Sequence, residues 1–236
     1  MQKISLFFIF LFMQMLLMSP VLFSQSSPDI PQVDHRYCLT YLLAPDEQPL
    51  EREIERIETA IEEASPELTA EELDRLKYAA GVLHSYLYIR LEEKQDAYRA
   101  VELLEEAQER FARGDLFTVH LGMAHAFVAR IKTIFGVSNL KTMEEQLQSI
   151  PENHSDWLIR FLRGTTSLEV GRALPGVFTI KDIKEKAVQV GSEDLRYVLE
   201  VYRQEGVPGF DPESYDFSRM PVPRPIAEKA RRVLRR

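Results

Sequence analysis

Thr69-Ala-Glu-Glu-Leu-Asp-Arg-Leu76 opens the stretch that decides the fold, which runs on to Phe135. Its first four residues have the form of a capping box. The Thr69 hydroxyl accepts from the backbone three residues on, and Glu72 reaches back to the Thr69 N–H. Apolar residues then recur at Leu73, Leu76, Ala80, Leu83, Leu87 and Leu91. Those steps of three and four keep one helix face apolar. A break is expected at Gln95 or Asp96. A second run follows at Ala97, Ala100, Leu104, Ala107 and Phe111. Gly114 stands where a left-handed helix end is expected, and Asp115 is placed to cap the next helix. The third run is Leu116, His120, Met123, Phe127, Ile131 and Ile134, stopped near Gly136. Short connections between helices this long favour antiparallel neighbours.

Outward from this stretch the pattern continues. Leu50, Ile54, Ile57, Ile61 and Ala64 predict a helix over 47–64, with Glu51, Glu53, Glu55, Glu58, Glu62 and Glu63 as its solvated face. Leu140, Met143, Leu147 and Ile150 predict a shorter helix ended by Pro151, and Trp157, Phe161, Leu162 and Leu168 another. Gly164 inside that helix points to close backbone packing, because glycine weakens a helix interior by about 1 kcal/mol against alanine. Thr179 is placed to cap a short helix through Val190. Gly191-Ser192 then restarts the chain into a last run ended by Gly206. The fold class is therefore all-α, with about eight helices stacked as antiparallel hairpins in a solenoid or an irregular bundle.

With Ala100, Leu104 and Ala107 as the small-large-small face of a second helix, Leu87, Tyr88 and Leu91 fall at first-helix positions of a tetratricopeptide repeat. Residues 81–114 resemble one such repeat, with His84, Tyr88 and Ala112 where the pattern has tryptophan, a small residue and proline. The resemblance implies a tetratricopeptide-like (TPR-like) stack whose surface receives a protein or peptide segment.

Lys3 is the only charge before Asp29, and residues 4–18 are almost wholly apolar. With Ser24-Gln25-Ser26 beyond them, residues 1–26 read as a secretory signal, which places the chain in a periplasm or outside the cell. The competing reading is an uncleaved anchor. Residues 27–46, punctuated by Pro28, Pro31 and Pro45, are expected to be extended, with Tyr37–Leu43 as a helical turn or a strand on the core. Residues 47–206 form the helical domain, and 207–236 a proline- and aromatic-rich strap with a basic tail. The tail is expected either to fold back on the acidic helix or to meet an anionic partner. Membrane contact would come from an uncleaved N-terminus or from this tail.

The net charge of −8 argues against a nucleic-acid partner. Cys38 is the single cysteine, so no intrachain disulfide forms. His120 and His125, five apart, do not share the helix face of a zinc-protease motif. No nucleophile elbow, phosphate loop or dinucleotide fingerprint is present, so no enzyme, metal or cofactor is expected. The candidate binding residues are Trp157, Arg160, Arg163 and His120. The two arginines share a helix face and can fork onto a carboxylate, and tryptophan is an interface anchor. The expected function is a non-enzymatic binding or scaffold protein. A small-ligand accessory protein of an envelope transport system is the alternative.

Overall fold

Asp34 starts the first helix. Its carboxylate accepts from the Tyr37 N–H at 2.9 Å, and Cys38 and Leu39 turn inward, giving α1 (His35–Leu42), so the helical one of the two expectations for Tyr37–Leu43 holds within the segment otherwise expected to be extended. The computed structural model describes residues 29–63, 68–111, 114–132, 136–173 and 181–236. The export signal, the Thr179 cap and the Leu174–Gly176 turn lie outside them. The described residues form nine helices: α1, then α2 (Gln48–Glu63), α3 (Ala70–Leu91), α4 (Lys94–Phe111), α5 (Asp115–Lys132), α6 (Val137–Ser149), α7 (Trp157–Ala173), α8 (Lys181–Glu205) and α9 (Arg224–Arg235). The fold is all-α, built of hairpins α3–α4, α5–α6 and α7–α8. None of the described helices is long and apolar enough to cross a membrane.

The capping box forms as read: Glu72 N–H to Thr69 Oγ1 at 3.2 Å and Thr69 N–H to Glu72 Oε2 at 2.8 Å. The break after α3 comes earlier than Gln95, at Glu92, which takes φ 55 and closes the helix with its N–H on the Tyr88 carbonyl. Asp96 is thereby drawn into the first turn of α4 and buried. Gly114 is not left-handed, for no described glycine has positive φ. Gly191 does not restart the chain either. α8 runs through it unbroken, because a Cβ there would stand 2.8 Å from the Gly164 carbonyl and the Leu168 nitrogen. The glycine permits contact of two backbones and is no helix breaker here.

Two kinds of helix alternate. α3, α5 and α7 are buried almost all round, as the unbroken buried run from Phe117 to Ala129 in α5 shows. α2, α4, α6 and α8 bury one stripe, such as Leu140, Met143 and Leu147 of α6. α5 touches both α3 and α7, so the first kind forms an inner row and the second an outer layer. Each inner helix has a glycine beneath a leucine of its outer partner: Gly81 under Leu104, Gly122 under Leu147 and Gly164 under Leu195. These glycines are 41 and 42 residues apart, so the hairpins repeat at a longer period than the 34 residues of a tetratricopeptide repeat.

The strap from 207 to 223 docks. Val207 pairs with Val222 and Arg224 through its backbone, and Phe210, Tyr215 and Phe217 pack on one another at 4.7–6.3 Å between ring centres. Arg36 of α1 lies 4.5 Å over Phe217. The tail is α9, and its buried Ile226, Ala227, Ala230 and Val233 pack on α7 and α8, not on the acidic α2.

Candidate functional site

The four residues expected to bind are engaged inside the fold. Arg163 is fully buried, and all its donors are used: Nε and Nη2 fork onto Asp194 at 2.6 and 2.9 Å, and Nη1 and Nη2 reach the Ile150, Pro151 and Glu152 carbonyls. Arg160 donates to the same Asp194 at 2.8 Å and stacks over Tyr197 at 4.0 Å. Trp157 is buried, with Nε1 on the Met220 carbonyl at 2.5 Å, which pins the strap to α7. His120 lies apart from these on α5. Its Nδ1 donates to the Leu116 carbonyl at 2.7 Å, and its Nε2 accepts from the Tyr86 hydroxyl at 2.9 Å. Burial holds its pKa down to about 4. The forked carboxylate foreseen for the arginines is thus present, but it is the chain's own Asp194.

The open feature lies at the other end of the inner row. A groove with a volume of ≈ 930 Å³ runs between the last turns of α3, α5 and α7, the end of α1, and α9. Its apolar part includes Tyr88 and Phe127, whose ring centres are 4.6 Å apart. Six cationic side chains line it against three glutamates, in a chain whose net charge is −8. Three of the cations end the inner helices. Arg90 holds the Ala44 carbonyl at 2.6 Å, Arg130 pairs with Glu92 at 2.7 Å, and Arg172 holds the Val233 carbonyl at the end of α9. The other three, Lys229 and Arg232 on α9 and Arg236 directly after it, have no carboxylate in ion-pair contact among the described residues. Burial lowers the Lys229 pKa; Glu169 counters that, while Arg90 and Arg232 add to it.

Sequence reasoning missed this groove. Its signal was present: Arg90, Arg130 and Arg172 are 40 and 42 residues apart, the same period as the buried glycines. The described residues contain no group of three or more His, Cys, Asp or Glu placed to hold a metal. No protein-family model, no curated protein and no solved structure matches the chain.

Proposed function

We propose that the protein is an exported, non-enzymatic binding module whose groove receives an acidic segment of a partner protein, much as a tetratricopeptide-like stack holds a peptide. The observation that carries this is the surplus of positive charge in one concave place on an acidic chain. Complementary fields of this kind raise association rates and exclude wrong partners. The Tyr88–Phe127 surface offers apolar contact beside the cations. Export rests on the apolar stretch after Lys3.

The test is titration of the purified protein with an extended peptide of alternating Glu and Leu, and with its Gln-for-Glu counterpart. Arg232 and Arg236 are exposed, so the double variant R232E/R236E keeps the fold. The acidic peptide should bind about tenfold or more tightly than the neutral one, weaken in raised salt, and lose that advantage in the variant. Equal binding of both peptides, or of neither, rejects the proposal. An exposed cation outside the groove, Arg196 on α8, serves as the control: R196E should change nothing.

A further inference from the structure

Two of the three gaps between outer helices are filled by an imidazole. His84 of α3 reaches between α2 and α4. Its Nδ1 donates to Asp96 at 2.8 Å, and its Nε2 faces Glu58 at 3.5 Å. His125 of α5 does the same between α4 and α6. The Asn139 amide donates to its Nδ1 at 3.2 Å, and its Nε2 faces Glu105 at 3.5 Å. In both, the histidine stands three residues after the buried glycine, Gly81 or Gly122. Asp96 and Asn139 each stand eight residues before the leucine that covers that glycine. Glu105 directly follows such a leucine, Leu104.

The third gap, between α6 and α8, follows the same register with different chemistry. Three residues after Gly164 is Ser167 in place of histidine, and eight before Leu195 is Ala187 in place of Asp or Asn. Directly after Leu147 is Gln148 in place of glutamate. All three substituted positions line one cavity of ≈ 120 Å³. Its other lining residues include the apolar Met143, Leu147, Ile183 and Val190, with Glu144, Glu152 and Lys186 as further charged members. Ser167 is 3% exposed, and its hydroxyl makes no hydrogen bond to a described residue. Arg163 also borders the space but has no donor left to give.

We propose that this cavity binds one heteroaromatic ring of imidazole size, seated where the other two gaps hold a histidine. A dry cavity of about 150 Å³ is enough to admit benzene. The space at Ser167 is slightly smaller and has polar groups that benzene does not need. Leu147 and Val190 take the ring's faces, and the Ser167 hydroxyl and the Gln148 amide meet its nitrogens. The ring comes either from a free small molecule or from a histidine side chain of a partner.

The probes are imidazole and the tripeptide Gly-His-Gly, followed through the methyl signals of Met143 and Ile183. Saturable shifts confined to these residues are expected, with Kd on the order of 1 mM for so small a ring. Binding of both probes assigns the ring to a partner side chain, and binding of imidazole alone assigns it to a free molecule. Ser167→His should fill the gap from within, raise Tm by about 2–4 °C and weaken imidazole about tenfold or more. Ala187→Leu closes the cavity from the other wall and should weaken imidazole to the same degree. Absence of saturable binding by either probe overturns the proposal. So does binding that both filled variants retain at full strength.

Discussion

The first two hairpins and the third are built on one plan and locked by different chemistry. In all three a leucine rests on a glycine, so inner and outer helices meet closely. Beside that contact the first two place a buried histidine against an amide or carboxylate. The third places Arg163 and Arg160 on Asp194 and leaves a cavity next to them. Apolar close packing thus sets the repeat, and the polar filling varies within it. The His125 imidazole, kept neutral at pH 7 by its burial, is cheap to bury. A guanidinium is not, and Arg163 is tolerated only because a carboxylate and three carbonyls surround it.

That contrast predicts its own largest effect. Asp194→Ala leaves Arg163 buried without its counter-charge, and breaking one side of such a pair costs about 3–5 kcal/mol. Chemical denaturation should show the loss, and Asp194→Asn should recover part of it by keeping the hydrogen bonds. A loss below about 1 kcal/mol would mean that the carbonyls alone hold the guanidinium.

Acid should separate the hairpins next. Burial holds His120 and His125 at about pKa 4, against about 6.5 in the unfolded chain. Between those values the unfolded state binds more protons, so stability falls as the pH drops from 7 toward 4. Each imidazole contributes roughly 3 kcal/mol to that fall. His35 acts in the opposite sense. Its bond to Asp156 raises its pKa, so its contribution is full at low pH and is lost as the pH rises through the folded value. Urea midpoints measured from pH 7 to 4 should therefore decline, and the double variant H120N/H125N should flatten the decline. An unchanged slope in that variant would put the acid sensitivity elsewhere.

Much of this architecture can be read locally. The capping box at Thr69 and the stripes of α2 and α6 depend on neighbours a turn apart, and they lie where the spacing puts them. The inner row was harder, because its helices are buried on faces that read as polar. Ser85 and Thr165 can be buried because their hydroxyls return to carbonyls one turn back, at 3.0 and 2.8 Å. α1, with eight residues, is too short to be stable by itself and depends on Cys38 and Leu39 entering the core. The groove was harder to read because it joins the ends of helices some 40 residues apart, a longer period than the 34 residues of a tetratricopeptide repeat. Arg160, Arg163 and Trp157 stand out in the sequence as binding candidates, and the fold engages all three internally. What no local pattern shows is that Asp194 and Met220 would answer them from inside the chain.

Gly191 tests the close packing of the third hairpin. Alanine would gain up to about 1 kcal/mol in helix propensity. Its Cβ would press on the backbone of α7 at Gly164 and Leu168, which cannot move as a side-chain tip does. A net cost of about 1–3 kcal/mol is expected from this overpacking. Gly114→Ala, whose nearest contact is at 3.5 Å, is the matched control and should cost less. A stabilised Gly191→Ala would show that α7 and α8 part easily at this contact.

The smallest expected effect bears most directly on the contrast. His125→Ser gives the second gap the side chain of the third. It removes a buried ring and opens a cavity, at a cost of about 1–2 kcal/mol at pH 7. It also removes a group that resists protonation in the fold. The variant therefore lacks one source of acid destabilisation, and its deficit against the parent should shrink as the pH falls through 6 toward 4. Imidazole added at pH 7 should restore part of the loss by entering the new space. A deficit that grows as the pH falls from 7 would mean that His125 is protonated in the folded protein and paired with Glu105 at 3.5 Å. The second gap would then be ion-paired like the third, and the difference between those two hairpins would be one of shape alone.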